Sequence, residues 1–274
     1  MVKVEVFALT MYIRQEFRRA LLSRMGLATM ATSILLVFIG MLESLIWIHS
    51  GVISIVYSFL QGYNAGTASF IVLAFPIIAC MPFASSYRTD IQTGFHHYIQ
   101  YRMKKSHYMT IRLAVNALTG GIAVAIGPMM AFAFLMVLKL LLNVPMLGHR
   151  DQSQLGPVVF FQSMGVSSPM MMMVIMIGIM FCCGIIFATL GLGISTIIQN
   201  KYIAIFVPFI YLILSVTVLA KIHPAFNAMA LFDVDLIDQY QIGQTFLYGV
   251  VLVVVGITLF FIGGAAKIEE RFKE

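Results

Sequence analysis

The stretch IRLAVNALTGGIAVAIGPMMAFAFLMVLKLLL, residues 111–142, decides how this chain folds. Only Arg112, near its start, and Lys139, near its end, are charged. An α-helix needs about 20 apolar residues to cross about 30 Å of hydrocarbon, so this run crosses and must also tilt, break or project. Gly120, Gly121 and the pair Gly127-Pro128 mark the expected place for a kink. Working outward, five more apolar runs of spanning length occupy 26–48, 65–85, 169–198, 202–220 and 244–266. The run at 65–85 contains Pro76 and Pro82, which predict a bend whose freed carbonyls neighbours must satisfy.

Charge gives these six runs a direction. With the N-terminus in the cytoplasm, the inside segments hold Lys3, Arg14, Arg18, Arg19, Arg24, Arg88, Arg102, Lys104, Lys105, Arg112, Lys201, Lys267, Arg271 and Lys273. Only Arg150 and Lys221 fall in outside loops, and Lys139 can snorkel from its span end. The acidic residues divide almost evenly, as expected when only Lys and Arg carry the orientation signal. The expected fold is therefore an all-α integral membrane protein of six transmembrane helices, with both termini cytoplasmic. Composition agrees: 61% of residues are hydrophobic, 10% are charged and mean hydropathy is +0.96, which leaves nothing to cover a soluble surface. The net charge of +6 lies beside spans, where it meets anionic lipid or a cytoplasmic partner rather than nucleic acid.

The whole chain, 1–274, reads as one transmembrane domain. Before the first span, Val6, Leu9, Ile13, Phe17 and Leu21 share one helical arc while Arg14, Gln15, Arg18 and Arg19 occupy the other. Residues 1–25 are thus expected to lie as an amphipathic interfacial helix along the inner leaflet. The fourth and fifth runs are joined only by Gln199-Asn200-Lys201, a tight inner hairpin. The outer stretch 221–243 mixes Asp233, Asp235 and Asp238 with Phe226, Met229, Leu231 and Phe232, which suits short helices dipping into the outer interface. Cys80, Cys182 and Cys183 lie in apolar runs and read as packing residues, not a disulfide framework.

Several activities lose their chemical basis here. No G-x-x-x-x-G-K-[ST] loop is present, so the chain has no means of cradling ATP by itself. Ion-coupled transport needs ionisable groups deep in the membrane, and Glu43 and Lys139 both sit near span ends. Ser195 has no histidine within a span to serve as its base, which argues against an intramembrane hydrolase. His96-His97 point apart on a helix and lack a third metal ligand. The Met170–Met173 cluster with Met176 and Met180 is a soft-metal pathway only if Cys or His joins it, and otherwise is pliable packing.

One inside loop is too long and too patterned to be a connection: SYRTDIQTGFHHYIQYRMKKSHY, residues 86–108. Arg88, Arg102, Lys104 and Lys105 alternate with Tyr87, Phe95, Tyr98, Tyr101 and Tyr108, and Gly94 interrupts the middle. An aromatic-faced amphipathic segment suits docking in a groove of a cytoplasmic partner, whereas a merely basic loop would rest on headgroups.

These features together resemble the ABC type-2 permease family, the membrane subunits of bacterial ATP-driven exporters. The loop pattern acid–x–x–x–Gly–x–x–x–aromatic–(Ile/Leu)–x–x–Arg is carried by Asp90, Gly94, Tyr98, Ile99 and Arg102, with Tyr108 and Leu118–Gly121 opening the third span. The family more often has Glu at the position of Asp90 and Lys at that of Arg112. The resemblance implies that 86–108 is a coupling loop seated in a separate ATPase subunit, with Arg88, Asp90, Gly94, Phe95, Tyr98, Arg102, Lys104 and Lys105 as its partner-binding residues. It implies a second permease, identical or not, a bacterial cell-membrane location, and ATP and magnesium bound by the partner ATPase, with no cofactor, metal or catalytic residue in this chain. The expected cargo is hydrophobic or amphipathic: a peptide, lipid or drug. A non-transporting scaffold or sensor, and then a membrane-embedded enzyme, are the competing readings.

Overall fold

The computed structural model describes residues 2–48, 53–65, 70–84, 89–90, 93–94, 105–148, 155–198, 200–233, 236 and 242–271. All regular structure among them is helical. Helix α1 (Val2–Leu21) is followed by α2 (Arg24–Trp47), α3 (Ile55–Leu60), which continues as a π-helical turn (Gln61–Ala65), and α4 (Ile71–Cys80). Then come α5 (Lys105–Leu142), α6 (Gly156–Ser163), α7 (Pro169–Ile197), α8 (Lys201–Leu214), which runs through a π turn (Ser215–Leu219), and α9 (Ile242–Arg271). Among the described residues five helices are long and apolar enough to cross a membrane, and the chain is a multi-pass membrane protein. Large apolar side chains stand exposed along them, among them Leu35 and Ile46 on α2, Phe206 and Ile210 on α8, and Phe246 and Val254 on α9. Such surface belongs in hydrocarbon, not in water.

One expectation changes. The second apolar run, expected as one helix over 65–85, shows among its described residues the ten-residue α4, with Pro76 inside it, and α4 is not among the five long helices. The helical path there begins earlier, at Ile55. Proline removes a backbone donor and crowds the preceding turn, so α4 around Pro76 depends on its neighbours α7 and α8. Helix α5 continues through Gly120, Gly121 and Gly127-Pro128 as a single helix of 38 residues with Pro128 inside it. At 1.5 Å per residue it is about 57 Å long, well over the hydrocarbon thickness, so one or both ends project.

Side-chain pairings give the directions. Ser33 Oγ donates to Val124 O at 3.0 Å and the Phe38 and Phe134 rings lie 5.3 Å apart, so α2 and α5 run in the same sense. The chain therefore returns between them, through 55–84. Helix α7 is the hub, packed on α5, α9, α8 and α4. It runs antiparallel to α5: Asn116 Nδ2 donates to Ala188 O at 2.6 Å, and Gly120 faces Gly184. A Cβ on Gly184 would come within 2.8 Å of Gly120 O, so the two glycines allow the backbones to touch.

At the end away from α1, the outer segments pack inward. Ile55 N and Val56 N donate to Pro145 O and Met146 O, each at 3.2 Å. The stretch after α8 forms two short 3-10 helices, Pro224–Phe226 and Ala228–Leu231, as the semi-apolar pattern of that stretch led one to expect. Ala228 N donates to Ser215 Oγ at 3.2 Å, and Phe232 is buried against Phe75 at 4.7 Å, which in turn meets Phe187 at 4.9 Å. Met172, Met173, Met176 and Met180 are core residues here, and Cys80 and Cys183 are buried donors to Phe187 O and Leu231 O, both at 3.3 Å.

Candidate functional site: a buried charge cluster at the α1 end

Helix α1 leaves α2 through a sharp turn. Ser23 caps α2, its Oγ accepting from Gly26 N at 2.9 Å while donating to Ala20 O at 3.2 Å. Gly26 lies against the end of α1, and a Cβ there would stand 2.1 Å from Ala20 O, which no side chain allows. The turn folds α1 back so that Ile13, Phe17 and Ala20 pack on Phe83, Ile111 and Val115. The apolar stripe seen in the sequence, over its described part, thus rests on the protein itself and not on lipid alone.

On that inward face sits Glu16, 3% exposed. It meets Arg112 of α5, which is 0% exposed, at 3.3 Å from the guanidinium Nη1. The other terminal nitrogen of Arg112 pairs with Asp90 Oδ2. Asp90, equally buried, also accepts from Tyr108 OH at 3.0 Å and, on Oδ1, from Arg19 Nη2 at 3.0 Å. Arg19 lies 3.7 Å from Glu16 as well. Two acids and two arginines make the cluster formally neutral, which is the condition under which charges survive removal from water. The Arg112 guanidinium is further packed against the Phe83 ring at 4.8 Å and the Tyr108 ring at 5.4 Å. A planar fork can reach two carboxylates while stacking on rings, and a lysine cannot. Tyr12 borders the cluster; burial pushes its hydroxyl up to about 12, against the pull of Arg112 and with the push of Glu16.

Asp90 reaches this place on a short helical turn. Thr93 N and Thr93 Oγ1 both donate to Thr89 O at 2.9 Å, and Gly94 follows at φ 72°, in the left-handed region that ends a helical turn. Of the other partner-binding candidates, Arg88, Phe95, Tyr98, Arg102 and Lys104 lie outside the described residues, and Lys105 opens α5. The carboxylate of Asp90 faces into the chain, onto Arg112, Arg19 and Tyr108. Sequence reasoning passed over Glu16, and treated Arg19 and Arg112 as orientation charges. The available signal was the position of Glu16, one helical turn from both Ile13 and Ala20, on the apolar arc of a basic helix.

What this arrangement does is mechanical. Three separate segments, α1, the loop residue Asp90 and the start of α5, are fastened by charge-assisted bonds in a setting where each partner is costly to leave unpaired. Among the described residues no cluster of three or more His, Cys, Asp or Glu is placed to hold a metal. Ser195 Oγ donates to Leu192 O at 2.6 Å within its own helix. Comparison of the chain with family models, curated proteins and solved structures returns no match.

Proposed function

We propose that the chain is the membrane-spanning permease subunit of an ATP-driven ABC exporter of the bacterial cell membrane. The observation that carries this reading is the Glu16–Arg112–Asp90 cluster, which ties the loop 86–108 to the foot of α5. In this reading the chain crosses six times, the broken path over 55–84 being the crossing that the parallel α2 and α5 require, and both termini are cytoplasmic as the Lys/Arg bias directs. The loop docks in a separate ATPase subunit that binds ATP and magnesium. When the ATPase moves the loop, Asp90 pulls on Arg112, and α5 carries the displacement across its full length as a rigid lever. At its other end α5 leads into the Pro145–Met146 strip that is bonded to Ile55 and Val56, so loop motion is felt at both faces of the membrane. A second permease completes the path, and the apolar, methionine- and phenylalanine-rich spans favour a hydrophobic or amphipathic cargo such as a small peptide or drug.

The test is reconstitution with a co-expressed ATPase. Phe95→Ala and Tyr98→Ala should each weaken ATPase co-purification by about 2 kcal/mol, the usual hot-spot loss, while Lys104→Gln with Lys105→Gln should do less. Export driven by an ion gradient alone would overturn the reading. A loop partner retained with no cargo movement would instead favour a scaffold or sensor.

A further inference from the structure

The inward rotation of α1 leaves an outer face that the cluster does not use. At 100° per residue, Met11, Arg14, Gln15, Arg18 and Leu22 fall on one arc, and all five are exposed. Arg14 and Arg18 are one turn apart on it and make no ion pair with any described residue. Arg24, also exposed, begins α2 only three residues after α1 ends. Because α2 is a spanning helix, this short link brings the end of α1 and Arg24 to the headgroup level, with Arg18 and Arg14 following along the exposed face of α1. Met11 at 59% and Leu22 at 61% exposure bracket the arginines, and Met25 at 49% lies beside Arg24. A cationic face flanked by bare apolar side chains matches the boundary between phosphate and acyl chain; a soluble partner would leave those side chains uncovered in the free protein.

We propose that Arg14, Arg18 and Arg24 form a seat for the headgroup of an anionic phospholipid. The lipid phosphates hold the outer face of α1 while Glu16 and Arg19, on the same helix, hold its inner face to Arg112 and Asp90. The membrane thereby clamps the element that anchors the loop. This inference does not depend on the permease reading, and its test needs no ATPase and no cargo.

The full chain in vesicles is titrated with spin-labelled phosphatidylglycerol and, separately, phosphatidylcholine, and the relative association of each is read from the immobilised signal. The native chain should prefer phosphatidylglycerol. The triple variant R14Q/R18Q/R24Q should lose that preference, by about fivefold per arginine at low salt, and R14K/R18K/R24K should keep most of it because charge at the surface is what counts. Equal association of the two lipids with the native chain would overturn the proposal. So would a preference that survives R14Q/R18Q/R24Q and vanishes in K104Q/K105Q, which would move the lipid seat to the loop. Retention of the anionic preference only alongside a bound soluble protein would assign the face to that protein instead.

Discussion

At the α1 end Arg112 joins two carboxylates between two rings, whereas toward the other end Phe75, Phe187 and Phe232 meet edge to face and Tyr63 donates to Met176 O at 3.1 Å. Both regions are buried and both tie segments distant in sequence. They differ in what a substitution leaves behind. Losing an apolar ring leaves a gap that neighbours and lipid partly fill, at a cost that falls with relaxation. Losing one member of the charge cluster leaves the remaining charges unbalanced in a buried place; without Arg112, the half-exposed Arg19 alone faces both Glu16 and Asp90. The first region tolerates substitutions of similar volume; the second is specified residue by residue.

The comparison breaks most readily at Arg112. Arg112→Ala should cost about 3–5 kcal/mol, the loss typical of stripping one partner from a buried ion pair, and is measured by SDS unfolding of the purified chain. Arg112→Lys should fall between, since it keeps the charge but not the fork that reaches both Glu16 and Asp90. Replacing the set together, as E16L/D90L/R112M, should restore much of the lost stability. If the triple variant is no better than Arg112→Ala, the cluster is ordinary packing and the contrast between the two ends disappears.

How far the sequence reveals each region follows from the same contrast. The spans announce themselves because a run of some 20 apolar residues has one stable outcome in a bilayer, and α2, α5, α7, α8 and α9 form where those runs lie. The exception is 65–85: among its described residues the run carries α4 with Pro76 inside it and Pro82 just past its end, and α3 and the π turn at Gln61–Ala65 supply helix that the run did not mark. The tight α7–α8 link, with Asn200 Oδ1 accepting from Tyr202 N at 2.9 Å, was readable because so few residues separate two spans. The charge cluster was not. Arg19, Arg112 and Asp90 look like any charges flanking a span until folding brings α1, the loop and α5 together, and that meeting depends on the inward turn of α1 at Gly26. Only Glu16, an acid set among Ile13, Phe17 and Ala20, hinted that the stripe faces protein.

A middle-sized effect sharpens the comparison from the aromatic side. Phe232→Ala should cost about 3 kcal/mol, the low end for a buried phenylalanine, because lipid and loop can settle into part of the space. Phe232→Leu should cost under about 1.5 kcal/mol. The decisive quantity is the ratio within each region: a near-conservative change should be mild at Phe232 and severe at Arg112. Equal severity for Phe232→Leu and Arg112→Lys in the same unfolding assay would mean that the outer region is as exacting as the charge cluster.

The smallest expected effect concerns Tyr12, at the rim of the cluster. Burial holds its hydroxyl up at about 12 against an ordinary 10.0, with Arg112 opposing the rise and Glu16 adding to it. The unfolded chain therefore releases this proton first. The contribution of Tyr12 is fully present below pH 10, declines as pH climbs from 10 toward 12, and is gone above that. Partial exposure of the ring limits the change to about 1 kcal/mol. Other groups titrate in that window too, so the measurement is the difference between the native chain and Tyr12→Phe. That difference should be constant up to pH 10 and then move steadily in favour of Tyr12→Phe, which has no proton to lose. A flat difference through pH 12 would place Tyr12 in water, outside the closed surface that the Arg112 cluster requires.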